Sequence, residues 1–153
     1  VSHEEFWPCI TGISRDNART PMQWDESAQA GFTKGEPWMP VNPNYKEINA
    51  KAALEDPGSV FYHYQKLIAL RKQYPIIVHG DYKLLFADSE EIFAYQRTLG
   101  KEKLLVVCNF TDQETAFTLP EEFAGGRYLI ANYENPGKEG VLRPYEAFAV
   151  LLG

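Results

Sequence analysis

The sequence contains few cysteines and histidines. It has two cysteines and three histidines in 153 residues. Cys108 lies inside the apolar run 104–110, where a small buried hydrophobic side chain is the expected role and a disulfide is not. This cysteine usage indicates a reducing compartment, so we expect the protein to be cytoplasmic.

Positive charge is also scarce. Lysine and arginine total 15 against 21 acidic residues, and the net charge is -6. Without a basic cluster, binding to nucleic acid or to an anionic membrane is not expected. No apolar run approaches the roughly 18 to 20 residues that a membrane span needs, and no export signal is recognised. The acceptor pattern Asn109-Phe110-Thr111 is therefore expected to be a chance match.

Residues 1–54 show neither helical nor strand periodicity. Turn formers such as Pro21, Gly31 and Pro43 alternate with aromatic residues. A loop longer than about 12 to 15 residues without secondary structure is uncommon in a compact domain. We therefore expect this segment to have no core of its own and to be ordered against another body.

One long helix is predicted over residues 56–74. Asp56 and Pro57 supply a cap and a first-turn proline, apolar residues recur at three- and four-residue spacing, and Pro75 ends the pattern. His63 lies on this helix without a partner His, Cys or carboxylate on its face, so an exposed or partly packed role is expected.

From residue 76 onward the pattern is β. Seven short runs rich in Val, Ile, Leu, Tyr and Phe are separated by turn signals, which favours an antiparallel β-sandwich. The predicted strands are 76–78, 82–86, 92–98, 103–110, 115–119, 127–132 and 147–152. Residues 104–107 are apolar on both faces and predict a central strand.

The stretch SRDNARTPMQWD, residues 14–25, is the most distinctive motif. It places Arg15 and Arg19 on a polar loop stiffened by Pro21. A planar guanidinium suits a fixed fork of hydrogen-bond donors, either to a carboxylate or to neighbouring sugar hydroxyls. The structural alternative is an ion pair that pins the loop.

Several blocks together carry a family resemblance. SRDNARTPMQWD is followed by AGFTKGEPW, VNPNYKEIN, VFYHYQKLIALRK, FAYQRTLG and RPYEAFAVLL. From residue 14 onward the chain closely resembles the C-terminal part of glycoside hydrolase family 13 enzymes, in particular the oligo-1,6-glucosidase, α-glucosidase and trehalose-6-phosphate hydrolase group.

The resemblance implies a mainly β chain that is the tail of a (β/α)8-barrel enzyme. Residues 1–75 would be the end of the barrel, with an irregular loop after the last barrel strand and then the last helix. Residues 76–153 would be a C-terminal antiparallel β-sandwich. The loop segment would then pack over a barrel that this sequence does not contain, on the face where such enzymes build their sites.

The implied chemistry is retaining hydrolysis of α-glucosidic bonds by paired carboxyl groups. The family's catalytic carboxylates have no matching positions in this sequence, so no catalytic residue, cofactor or metal is predicted here. The pairs Glu4-Glu5, Glu90-Glu91 and Glu121-Glu122 lie beside turns or the terminus and are expected to be solvated surface residues.

The resemblance assigns substrate contact to Arg15, in the subsite for the non-reducing-end glucose. Arg19 is included with it as a candidate substrate-binding residue, although bracing of the loop is its expected part. Trp24 is predicted as a packing anchor, with sugar stacking as the alternative. Trp38 and Tyr45 are expected to be packing residues.

The chain is accordingly expected to be a fragment, with a small oligosaccharide and the missing barrel domain as the partners implied for the parent. A non-catalytic carbohydrate-binding module or a purely structural sandwich is the alternative. The sequence does not choose among isomalto-oligosaccharide, maltose-type, sucrose and trehalose-6-phosphate substrates, and it leaves the oligomeric state and any calcium dependence of the parent open.

Overall fold

A computed structural model of the chain describes residues 19–137 and 140–153. Its residues form two compact units, the first ending at Tyr64 and the second running from Gln65 to Gly153. Within the described residues, no helix combines the length and the apolar character needed to cross a membrane.

The helices differ from the prediction of one long helix. The described residues include α1 (Ala50–Glu55), α2 (Val60–Gln73) and α3 (Ile76–His79), together with 3-10 turns at Ala28–Gly31, Pro43–Lys46 and Glu121–Phe123. The short helix α1 falls in the segment that showed no periodicity. Six residues are too few for a 3.6-residue repeat to be visible in a sequence.

Helix α2 begins at Val60, one turn later than predicted. The reason is that Asp56 caps a turn and not the helix: its carboxylate accepts from the Gly58 N–H at 2.8 Å, and its carbonyl accepts from the Ser59 N–H at 3.0 Å. The end at Gln73, just before Pro75, agrees with the prediction. The apolar side chains that predicted α2 remain 41 to 79% exposed: Val60, Phe61, Tyr64, Leu67 and Ile68.

The prediction of a strand over residues 76–78 is wrong, because these residues form α3. Pro75 has φ of -55° at its N-cap position, a value that suits the start of a helix. The guanidinium of Arg97 then closes the other end, donating to the carbonyls of Ile76 at 3.1 Å and Gly80 at 2.8 Å. Tertiary hydrogen bonds therefore override the β propensity of Ile-Ile-Val.

The second unit contains an antiparallel sheet of five strands: β1 (Asp81–Leu85), β2 (Ile92–Leu99), β3 (Glu102–Asn109), β5 (Arg127–Ala131) and β7 (Ala147–Leu152). Their order in the sheet is β1-β2-β3-β7-β5. The central position of β3 confirms the prediction made from the apolar run 104–107.

A separate antiparallel pair consists of β4 (Thr115–Ala116) and β6 (Val141–Leu142). The predicted strand 115–119 is therefore mostly absent, since Pro120 leads directly into a 3-10 turn. Strand β6 was not predicted, because two apolar residues in a turn-rich region give no periodic signal. The observed architecture is a mainly β region with an antiparallel sheet and few helices.

Residues on alternating positions of the sheet separate into two apolar clusters. The inward cluster contains Ile92, Ala94, Leu105, Val107, Phe148 and Val150 together with Phe117, Phe123 and Leu142 from outside the main sheet. Truncation of such a residue costs about 2 to 5 kcal/mol, so this cluster carries much of the stability of the second unit.

An ion pair with a buried carboxylate closes the turn before β7. The Glu146 side chain is fully buried, and its oxygens accept from the N–H of Gly137 and the N–H of Arg143, both at 2.8 Å. The Arg143 side chain adds bonds from Nε and a terminal nitrogen, both at 3.0 Å. The same guanidinium lies 4.3 Å from the ring centroid of Tyr133.

The environment of Glu146 moves its pKa in two directions. Burial raises the pKa, but the hydrogen bonds from the Arg143 side chain and from two backbone N–H groups lower it, and the net pKa lies below the usual 4.5. The ionised group therefore contributes its full stabilisation above about pH 4.5, and this contribution is lost as the pH falls through the lower folded-state pKa.

We expect Glu146→Gln to reduce the free energy of unfolding by about 1 to 3 kcal/mol at pH 7, because it removes the charged acceptor that the Arg143 guanidinium and two backbone N–H groups share. Below pH 4.5, the free energy of unfolding should also fall less steeply with pH in the variant than in the unmodified chain. Urea unfolding followed by circular dichroism at several pH values measures both effects.

The control is Glu122→Gln, which removes the exposed partner of Lys103. An exposed pair contributes about 0 to 1 kcal/mol, so this variant should unfold close to the unmodified chain. Equal losses in the two variants would contradict the role assigned to Glu146.

Candidate functional site

Of the two predicted substrate-binding arginines, the structure describes only Arg19. Arg15 lies outside the described residues. Arg19 is the first described residue, and its side chain is exposed. The described part of the motif begins at Arg19.

The second half of the motif is fixed to the start of α1. The Gln23 carbonyl accepts from the Ala50 N–H at 2.9 Å, and the Trp24 carbonyl accepts from the Lys51 N–H at 3.0 Å. The first N–H groups of a helix have no partner within the helix, so an external acceptor stabilises them. The motif thus caps a helix that lies about 25 residues further along the chain.

Two side-chain amides complete this connection. Asn49 is buried and accepts from the Ala52 N–H at 2.8 Å, which makes it the N-cap of α1. The Gln23 amide donates to the Asn44 side chain at 3.1 Å and to the carbonyl of Ile48. Sequence reasoning missed both residues, although an Asn immediately before an Ala-rich stretch is a recognisable capping signal.

A tight turn follows Trp24. The Trp24 N–H donates to the Ala30 carbonyl at 2.9 Å. Residues Gln29, Ala30 and Gly31 all have positive φ, at 54°, 54° and 67°. Three successive left-handed residues are a strained arrangement for non-glycine positions. This turn reverses the chain directly beside the motif.

The carboxylates near the motif are held in their ionised form. Hydrogen bonds from the Ser27 side chain and backbone lower the pKa of Asp25. A hydrogen bond from Lys51, whose Nζ lies 2.7 Å from the carboxylate, lowers the pKa of Glu26. A general acid needs a raised pKa, so neither group has the properties of one.

The described part of the first unit buries little apolar surface. Among its hydrophobic residues, only Ala30 and Met39 count as core. In this chain alone, Trp24 is 53% exposed, Trp38 is 84% exposed and Tyr45 is half-buried, so packing of the two tryptophans stays a prediction for the parent enzyme. The small core agrees with the expectation that residues 1–54 lack a core, as far as the described residues show.

A shallow groove of about 420 Å³ runs between the motif and α1. It is lined by Thr20, Pro21, Met22, Gln23, Ile48, Asn49, Ala50, Ala53 and Phe61. None of these residues carries a charge, and the two amides already have internal partners. The groove can accept an apolar group, but its lining supplies no acid, base or nucleophile.

The remaining candidates from the sequence have surface or structural roles. His63, Glu90-Glu91 and Glu121-Glu122 are exposed, which agrees with the predictions for them, whereas Glu4-Glu5 lies outside the described residues. The Asn109 side chain is buried and donates to the carbonyls of Gln113 at 2.8 Å and Arg143 at 3.0 Å. A glycan cannot attach to it in the folded chain.

Comparison with protein families divides the chain near residue 81. A family model described as the catalytic domain of alpha amylase matches residues 1–80. A second model, described as the C-terminal domain of maltogenic amylase, matches residues 82–148.

Individual relatives extend this result. The oligo-1,6-glucosidase of Halalkalibacterium halodurans is 54% identical over 100% of this chain, which covers 28% of that relative. The trehalose-6-phosphate hydrolase of Bacillus subtilis is 51% identical over 99% of this chain, which again covers 28% of it. The crystal structure of the trehalose-6-phosphate hydrolase of Bacillus licheniformis superposes with a TM-score of 0.87 at 46% identity, over 94% of this chain and 27% of that chain. The chain thus spans about a quarter of the length of these relatives.

We expect Gly31→Ala to loosen the attachment of the motif to α1. A Cβ at this position would lie 2.9 Å from an Asp25 carboxylate oxygen, and the positive φ is unfavourable for alanine. A cost of about 1 to 2 kcal/mol corresponds to roughly 5- to 30-fold faster hydrogen exchange of the Ala50 and Lys51 amides. Exchange resolved by residue measures it.

Gly35→Ala is the matched control, since the nearest atom to its Cβ would be 3.9 Å away and its φ is not positive. Unchanged exchange in Gly31→Ala would show that the left-handed turn does not hold the motif.

Proposed function

Because the chain belongs to the alpha-amylase family, we propose that it is the C-terminal part of a retaining α-glucosidase that acts on the non-reducing end of short oligosaccharides. The observation that carries the proposal is the 54% identity to an oligo-1,6-glucosidase over the whole chain. The relatives named for trehalose 6-phosphate leave the choice of α-glucoside open.

The proposed domains follow the order of the two matches. Residues 1–75 form the end of the catalytic barrel, and residues 76–153 form the C-terminal β-sandwich, in which β4 and β6 belong to the layer opposite the main sheet. The inward cluster supports this arrangement, because Phe117 and Leu142, next to or on these two short strands, pack with Leu105 and Val107. The proposed cytoplasmic location rests on the cysteine usage alone.

In this proposal the chain supplies binding and not bond cleavage. Arg15 donates to a hydroxyl of the terminal glucose and holds a carboxylate of the missing barrel in position, and Arg19 braces the same loop. The hydrogen bonds from the start of α1 to residues 23 and 24 support the role of the motif, because they fix the part of it that follows Arg19. The nucleophile and the general acid come from the rest of the parent enzyme.

We expect this chain alone to show no turnover of a nitrophenyl α-glucoside, since its sequence has no positions that match the family's catalytic carboxylates. Titration with isomaltose tests the alternative of a carbohydrate-binding module, for which we expect no binding. Measurable hydrolysis by the chain would refute its assignment as a part that lacks the catalytic carboxylates.

A chimera tests the positive part of the proposal. This chain replaces the segment that it matches in the Halalkalibacterium halodurans oligo-1,6-glucosidase, and the chimera should hydrolyse the same nitrophenyl substrate. In it, Arg15→Lys should reduce kcat/KM about 10- to 100-fold, the loss of a charge-assisted hydrogen bond.

Arg71→Lys is the control, because Arg71 is an exposed arginine in the last turn of α2. Normal kcat/KM in Arg15→Lys would remove Arg15 from the substrate site. A folded but inactive chimera would contradict the proposed function itself.

A further inference from the structure

The main sheet has a second apolar face, opposite the inward cluster. On β2 the inward residues are Ile92 and Ala94, so Phe93 and Tyr95 point to the other side. The strand register shows which residues of the neighbouring strands lie on the same face. Phe93 pairs with Cys108, Tyr95 with Val106, and Leu84 of β1 with Tyr95. We call it the outward face.

Half of the outward face is already covered. Leu104, Ala149 and Leu151 on β3 and β7 form a cluster with Ile76, which is fully buried. Leu70, Tyr74 and Ile77 pack against the same cluster. All four covering residues fall within the match to the alpha-amylase catalytic domain. Residues of the catalytic domain therefore cover this half of the sheet.

The other half is exposed and strongly aromatic. Phe93 is 42% exposed, Tyr82 54%, Leu84 44% and Phe110 67%. These four residues and the half-buried Tyr95 are called the aromatic patch. Its rings already touch: the centroids of Phe93 and Phe110 are 6.1 Å apart, those of Phe93 and Tyr95 5.7 Å, and those of Tyr82 and Tyr95 5.3 Å.

A cleft lies at the edge of the aromatic patch. It has a volume of about 390 Å³ and lies between residues 84–87 and residues 89–93, with Phe110 at its side. Its wall is mainly apolar, and Glu90 and Glu91 also line it. A cleft of this kind suits the insertion of an apolar side chain from a packed neighbour.

We propose that the aromatic patch is buried in the parent enzyme against a part of the catalytic domain that lies outside this chain. This rests on the proposed function. The patch continues the half of the sheet that residues 70–77 cover, and those residues belong to the catalytic-domain match. The chain covers only 28% of the relative used above, so most of the catalytic domain is available to cover it.

The ring geometry favours a protein neighbour over a glycan. Adjacent rings meet at 84° for Phe93 and Phe110 and at 57° for Phe93 and Tyr95, and the Tyr82 and Tyr95 rings come closer to parallel, at 33°. Edge-to-face rings form an uneven surface that interdigitates with side chains, as in protein interiors, whereas a sugar stacks on a flat exposed face. Large contiguous apolar surfaces of this kind usually mark an interface.

The test measures burial directly in the chimera described above. Phe93→Cys and Phe110→Cys are introduced singly into a chimera that carries Cys108→Ala, because the native Cys108 thiol lies on the same face and only two residues from position 110. The labelling rate of each new thiol is followed by peptide-resolved mass spectrometry with a small maleimide, relative to the urea-unfolded chimera. Lys101→Cys, at an exposed turn of the same β2–β3 hairpin, is the control. The same variants of this chain alone are labelled in parallel.

We expect the two patch thiols to react at least about 100-fold more slowly in the folded chimera than in urea, because labelling then requires local opening. Lys101→Cys should react at nearly the unfolded rate, and this chain alone should label rapidly at all three positions. Rapid labelling of Phe93→Cys and Phe110→Cys in an active chimera would overturn the proposal while leaving the proposed function intact.

Protection in this chain alone would also overturn it, because the patch would then be covered by another part of the chain or by a second copy. Size-exclusion chromatography at several concentrations separates those two cases. If a substitution prevents folding of the chimera, Leu84→Cys provides a third position on the patch with the same expected protection.

Discussion

The unpaired N–H groups at the start of α1 are the constraint on which the motif region depends. They find acceptors on Gln23, Trp24 and Asn49, and so a loop without a hydrophobic core acquires a defined path. Hydrogen bonds in water contribute little net stability, about 0.5 to 1.5 kcal/mol each. They become more effective when a surrounding body excludes water, which is what the proposed barrel would do for this loop.

The second unit is stabilised in a different way. Its sheet buries a full apolar layer on the inward face, and the Glu146–Arg143 pair fixes the turn that leads into β7. The Arg97 guanidinium donates to the carbonyls of Ile76 and Gly80, and this holds the Ile76 side chain against the outward face. The packed sheet is thus hydrogen-bonded to α3, which lies within the match to the alpha-amylase catalytic domain.

The sequence predicted those parts of the fold whose signal is long and periodic. The five strands of the main sheet and helix α2 were recovered because each spans five or more residues with a sustained apolar pattern. Helix α3 was misassigned because Arg97, 21 residues away, decides its conformation. The short elements α1 and β6 were missed because their bonds are non-local, and the roles of Gln23 and Asn49 depend on those same bonds. The motif led to the family, but contacts of Arg15 lie outside what the described residues establish.

The burial of Asn109 has a practical consequence for producing the protein. Its amide satisfies two carbonyls, and its Oδ1 accepts from the N–H and hydroxyl of Thr111, the third residue of the acceptor pattern. In a eukaryotic secretory host, the transferase meets the polypeptide before these bonds form. A sugar chain added at that moment would occupy the place of the buried amide and block folding, so a bacterial host is the safer route to material.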